Sequence, residues 1–276
     1  MQESGTVPSL DHEAAHRSPV MSDITALNLP ARLRRSRRAL ASSALRPICR
    51  ASTRLAARRL GLRKPDASLL PAKKRSIRVP LASIAHYYAD VPSYILGGYQ
   101  LIAGPWDRLV YPLATDPTWR EACRHSRTIY QIFEQGLPIE QTDEYRKLYR
   151  KMVQGKSVRK GIKREQELQA YFQRMFDAYE NMRANGFLGQ QELGGEPKDD
   201  VRVAIDRHGR LVRLGNGRHR FAMAQILAVP TVVVHVRHVH SRWVEGCMRA
   251  YQEPDPGEAV RRGLAAYTLG VAGDAA

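Results

Sequence analysis

The chain has 276 residues, 43% of them apolar, and carries 44 Lys and Arg against 27 Asp and Glu, a formal net charge of +17. That length and apolar content support a sizeable core and exclude global disorder, and nowhere does the chain reach the ~18 uninterrupted apolar residues needed to span a bilayer. Cys49, Cys123 and Cys247 are odd in number and lack any C-x-x-C spacing, which excludes a disulfide framework or a cysteine zinc site and fits a reducing, cytoplasmic setting.

The charge is uneven along the chain. Residues 1–30 sum to −3, contain Pro8, Pro19 and Pro30, hold no apolar run of signal-peptide length, and are predicted to be disordered. Residues 31–80 hold 16 Lys and Arg against Asp66 alone, a net +15, which leaves +5 for residues 81–276. From Ala31 to Lys64 the mixture of arginine, alanine and leucine predicts short basic helices broken at Pro47. Such helices suit an anionic membrane or a nucleic acid, or stay a solvated tail, and without aromatic residues they are poorly equipped to stack on bases. Pro65 to Pro80 reads as a linker, so residues 1–80 are expected to form a basic disordered tail with a domain boundary near 80.

Residues 81–155 are predicted to be a mainly helical extension: Gly97, Gly98, Gly104 and Pro105 punctuate its start, while Trp119 to Phe133 and Glu144 to Val153 show helical spacing. Trp106, Asp107 and Trp119 either line a ligand site or anchor the core, and the core role is favoured for tryptophan in such a mixed segment. Between Arg164 and Ala184, Leu168, Phe172, Met175, Phe176, Tyr179 and Met182 make one apolar helical stripe, and Asn185-Gly186 ends it. Val201, Val203 and Ile205 then alternate, a turn forms at His208-Gly209, and Leu211 to Leu214 returns as the second arm of a hairpin. A helix from Arg218 to about Leu227 follows, then Pro230 and the β-branched strand TVVVHVRHV. Residues 246–276 read as a C-terminal tail.

The helix at Arg218 is electrostatically odd. Helix starts favour acids, yet Arg218, His219 and Arg220 open this one directly after Gly215-Asn216-Gly217. The glycines permit close backbone approach, and Asn216 is a good N-cap. Either an anion sits among these groups, with Arg220 holding it bidentately and His219 trading a proton, or the arginines meet water and acids of residues 164–200 while His219 packs in the core. Of His235, His238 and His240, strand alternation leaves only the last two on one face, with no acid or cysteine beside them, and a structural role is expected rather than a metal site.

The run LGNGRHRFAMAQILAVPTVVVHV resembles the signature of the ParB/sulfiredoxin superfamily, in which a strand leads into a Gly-x-(His or Arg)-Arg turn, a helix with a small residue, and a Val-rich strand after proline. Gly217, His219, Arg220, Ala224, Leu227 and Pro230 carry the match, which covers about residues 160–240; Gly98 through Tyr145 resembles an extension found in uncharacterised bacterial and archaeal ParB-like proteins. The resemblance implies an α+β domain over residues 156–245, with a mixed sheet and a hairpin-turn-helix phosphate site, that binds a nucleotide or other phosphate ligand through Gly215, Asn216, Gly217, Arg218, His219 and Arg220. It also implies a nucleoside triphosphate with Mg²⁺ as the cofactor of any hydrolysis or phosphotransfer. Glu192 and His219 are then the candidate catalytic pair, with Asp177 and Glu180 behind Glu192. Arg218 replaces the cysteine of sulfiredoxins and the glutamate of partition proteins at that place, which argues against sulfinic acid repair. The ~36 residues after position 240 are too few for the downstream DNA-reading and dimerisation domains of partition proteins. The alternative is a non-catalytic module that docks on nucleic acid or an anionic membrane through residues 31–80.

Overall fold

The computed structural model describes residues 31–62, 69–88, 99–113, 124–156, 158 and 161–268. Residues 1–30, Gly97, Gly98, Trp119 and Cys123 lie outside the described residues. The strands within them are β1 (Ser76–Pro80), β2 (His86–Tyr88), β3 (Leu101–Ile102), β4 (Val110–Pro112), β5 (Val201–Ile205), β6 (Leu211–Arg213) and β7 (Thr231–His240). The α-helices are α1 (Ala31–Arg59), α2 (Arg124–Phe133), α3 (Asp143–Val153), α4 (Glu165–Asn185), α5 (Arg218–Ile226), α6 (Ser241–Ala250) and α7 (Pro256–Thr268).

The architecture is α+β around an open mixed sheet of order β1-β7-β5-β6-β2-β4. The hairpin forms where alternation predicts it, with β5 antiparallel to β6 and Ile205 opposite Leu211. β7 runs parallel to β5 on one edge and antiparallel to β1 on the other. β3 pairs with Val239 and His240, continuing the edge that β1 occupies from Thr231 to His235.

α4 forms because its apolar stripe meets α5 and α3: Leu168, Phe172 and Met175 are buried in one core cluster with Phe221, and the Phe172 ring lies 5.5 Å from that of Tyr145. Each such side chain contributes roughly 1.5–3 kcal/mol when fully buried. Gly186, at φ 70°, ends the helix. A smaller cluster on the opposite sheet face joins Ala204 and Val212 to Ile102, Trp106, Tyr88 and Cys49. Trp106 is thus a core anchor, 0% exposed, and Asp107 beside it pairs with Arg207.

Four expectations are corrected by this arrangement. First, the basic segment is not a tail from residue 31 onward. α1 runs unbroken through Pro47, and its small side chains Cys49, Thr53, Ala56 and Ala57, with Leu60, are buried, while β1 is an integral strand. The domain therefore begins well before residue 80, because a helix rich in arginine still buries the face on which alanine, cysteine and threonine recur. Second, residues 81–155 are mixed: β2, β3 and β4 join the same sheet as the hairpin. Third, the chain after residue 246 is largely α6 and α7, which bury Val244, Val260, Leu264 and Tyr267.

The fourth correction concerns the histidines of β7. Arg202 pairs with His235, Val203 with Val236, and Ala204 with His238, so Arg237 is an inserted bulge residue. A bulge places two residues opposite one and resets the alternation. His235, His238 and His240 consequently share one face, that of Ala204, while Val236 and Val239 share the other. No helix among the described residues is long and apolar enough to cross a membrane.

Candidate phosphate-binding site

The Gly215-Asn216-Gly217 turn delivers β6 into α5. Gly217 occupies the N-cap with φ 68° and ψ 26°, and a Cβ there would lie 2.7 Å from Cα of Val201. Only glycine fits a left-handed position in such close contact. The expected N-cap role of Asn216 is therefore corrected: Gly217 takes that place, and no side chain caps the first turn. The Asn216 amide instead faces Arg202: with the amide oxygen turned toward the guanidinium, Nη2 donates to it at 2.9 Å, while Nε donates to the Lys198 carbonyl at 2.7 Å.

The three residues that open α5 have separate surroundings. Arg218 is exposed and curls back so that its Nε donates to the Gly215 carbonyl. Arg220 is largely enclosed: Nη1 donates to Oδ1 of Asp200 at 3.2 Å, Nη2 donates to the Leu188 carbonyl, and the guanidinium lies 4.3 Å over the Phe187 ring. Its donors are engaged within the protein, as the alternative of pairing with an acid of residues 164–200 anticipates, and it fixes the first turn of α5 against the loop after α4. Burial dominates the electrostatics of this pair, lowering the Arg220 pKa and raising that of Asp200 despite the hydrogen bonds to Asp200 from Gln190 N–H and Arg220.

His219 has 22% of its side chain exposed, and its Nε2 lies 3.5 Å from Oε2 of Glu144. Glu144, on α3, is 1% exposed and accepts from Thr128 Oγ1 at 2.9 Å and Tyr171 Oη at 3.4 Å. A buried carboxylate behind a partly exposed imidazole is how second-layer groups orient a histidine. Sequence reasoning missed Glu144. The available signal was its four-residue spacing to Leu148 and Met152, which sets a carboxylate on the apolar face of α3.

Glu192 is not beside His219's carboxylate. It accepts from Gly189 N–H and pairs with Nη2 of Arg78 at 3.1 Å, closing the loop after α4, and it influences Asp200 and Arg220 only through space. Asp177 and Glu180 stay on α4, bonded to Gln173 and Arg183.

A second omission is the group Arg75, Arg202 and Arg237. Arg202 stands opposite His235 on β5, Arg75 precedes β1, and Arg237 is the bulge residue. Burial and then Arg237 lower the pKa of both Arg75 and Arg202, and burial with all three arginines pushes His235 down to about 4. Among the described residues none of the three makes an ion pair with a carboxylate. Through Asn216 and Arg202 this cationic group adjoins the turn.

The β7 histidines are hydrogen-bonded. His235 Nδ1 meets Ser76 Oγ at 3.2 Å, His238 Nδ1 donates to the Tyr99 carbonyl at 2.6 Å, and His240 Nε2 donates to the Gly104 carbonyl at 3.0 Å. Burial is the largest cause lowering the pKa of each. No protein-family model, curated protein or solved structure matches the chain.

Proposed function

We propose that the chain binds a phosphate-bearing ligand, of the nucleotide class to which the ParB/sulfiredoxin resemblance points, at the opening of α5. The observation that carries this reading is the crowding of Arg75 and Arg237 around Arg202, which faces Asn216: none of the three forms an ion pair with a carboxylate among the described residues, and Asp199 bears on Arg202 only through space. Neighbouring like charges repel, and a phosphate supplies both the opposite charge and several acceptors for their guanidinium forks. Arg218 adds an exposed cation on the turn itself, while Arg220 and Asp200 hold the turn in place. For hydrolysis or phosphotransfer of a Mg²⁺-bound nucleotide, His219 backed by Glu144 is the group placed to carry a proton; Glu192 supports the loop through Arg78.

The test is titration with CTP, ATP and ADP, each with and without Mg²⁺, followed by phosphate-release and phosphotransfer assays. Replacing Arg202 and Arg237 together by Gln is expected to weaken binding roughly tenfold or more, since a charged hydrogen bond contributes about 1.5–3 kcal/mol. Parental affinity in that double variant rejects the site. Saturable binding without turnover leaves a non-catalytic switch module.

A second reading has its own support. On α1 the exposed Arg50, Arg54 and Arg58 recur every four residues beside Ile48, 51% exposed, and Leu55, 53% exposed. Such a helix face suits nucleic acid or an anionic membrane. Because α1 also supplies core residues, the test is replacement of these arginines by Gln rather than truncation; unchanged salt-sensitive binding to DNA and to anionic vesicles rejects this reading.

A further inference from the structure

A cavity of about 450 Å³ opens where α1, the segment Ala103 to Arg108 and the start of α6 come together. Its volume falls within the roughly 300–1,000 Å³ that small-molecule sites occupy. Arg59, Arg108, Arg207 and Arg242 line it. Arg207 is held in place by the buried Asp107, its Nε and Nη2 reaching the two carboxylate oxygens at 2.6 and 2.5 Å. Arg59, Arg108 and Arg242 are exposed and form no ion pair with a carboxylate among the described residues. Glu245 is the one acid in the wall, so with Asp107 counted, four arginines face two carboxylates, a local excess of +2.

The floor of the cavity is polar and fixed. His240 uses both ring nitrogens: Nε2 donates to the Gly104 carbonyl, and Nδ1 accepts from Arg242 N–H. Gly104, at φ 92°, packs against Cys49 so closely that a Cβ would lie 3.0 Å from its Cα. Ser241 also lines the cavity, is 4% exposed, and has no hydrogen-bond partner for its hydroxyl among the described residues. The hydroxyl is thus open to the cavity and available to a ligand there, together with the guanidinium groups of the wall.

We propose that this cavity is a second anion site, distinct from the α5 turn, which takes a phosphate ester carrying two or more negative charges. The rim arginines supply forked donors to phosphate oxygens, Ser241 supplies a neutral donor at the base, and Leu55 at the lip offers apolar contact to the esterified group. A soluble diphosphate and a phospholipid headgroup share this chemistry.

The experiment uses the full chain and two probes. Pyrophosphate is titrated calorimetrically, and vesicles of phosphatidylcholine with or without phosphatidic acid are tested by flotation. At least one probe is expected to bind. Both probes are measured in an Arg202→Gln/Arg237→Gln background, which removes the α5-turn site, and there Arg108→Gln with Arg242→Gln is expected to weaken the remaining binding roughly tenfold or more. Binding of pyrophosphate alone identifies a soluble ligand, and binding of phosphatidic acid vesicles alone identifies a headgroup. The proposal is overturned if neither probe binds in that background, or if adding R108Q/R242Q to it leaves binding unchanged for every probe that does.

Discussion

Glu144 reaches His219 from a different helix, its Oε2 3.5 Å from the imidazole Nε2, while the same carboxylate also accepts from Thr128 and Tyr171. One buried acid thereby ties α3 to α2, α4 and the first turn of α5.

Removing that acid strands several polar groups at once. Glu144→Ala is expected to destabilise the fold by about 2–4 kcal/mol, because unpaired buried donors cost more than a hydrogen bond gains. Glu144→Gln keeps an acceptor oxygen and is expected to cost less. Urea unfolding midpoints of the two variants check the order; equal midpoints for E144A and the parent contradict it.

Gly217 tolerates no side chain. Gly217→Ala combines a left-handed backbone with a 2.7 Å approach to Val201, and a loss of about 2 kcal/mol or more is expected. A thermal melt of G217A at parental Tm would show that the turn relaxes freely.

The pair Asp200 and Arg220 offers a double-mutant cycle. Arg220→Ala leaves Asp200, 1% exposed, without its cationic partner, at an expected cost of about 3 kcal/mol. Adding Asp200→Asn is expected to recover part of that loss. Strictly additive unfolding free energies for the two changes would mean that the contact is energetically idle.

Acid should loosen the fold before ordinary carboxylates titrate. In the unfolded chain His235 and His238 take up protons below about pH 6.5, whereas burial holds them neutral in the folded state down to about 4 and about 3. Folded pKa values lie below the unfolded ones, so stability is full above pH 6.5 and falls as pH drops from there toward 4. Each ring contributes a slope of up to about 1.4 kcal/mol per pH unit across that interval. Urea midpoints measured through the window are expected to decline, and more gently in His235→Gln. A flat profile from pH 6.5 to 4.5 contradicts this account.

What the sequence made legible is what local periodicity encodes. The stripe of α4, the β5–β6 hairpin, the start of α5 and the valine-rich β7 all fall where spacing places them. β2, β3 and β4 have three residues or fewer and no tight turn joining them to a longer partner, and β1 lies in a basic, proline-flanked stretch, so no pattern marks them; they exist because neighbouring strands offer open hydrogen-bonding edges. The buried side of α1 escaped notice because alanine, cysteine and threonine give a faint signal among arginines. At the site, the glycines and the arginine at 218 are visible in the turn itself, but the partners that define it are not. Glu144, Asp200, Arg75 and Arg237 come from distant segments, and only tertiary packing brings them to the turn.

The extra residue in β7 makes that strand a parity device. Were Arg237 paired in register instead of bulged, every later residue of the strand would change sides, sending Val239 toward Trp106 and turning His240 away from Gly104, so that the start of α6 would lose its cap and the arginine-rimmed cavity its floor. Deleting Arg237 would instead leave His235, Val236, His238, Val239 and His240 in plain alternation against the same β5 partners, so the kink lets the strand carry one more arginine while the oily and wet sides of the sheet stay where they are.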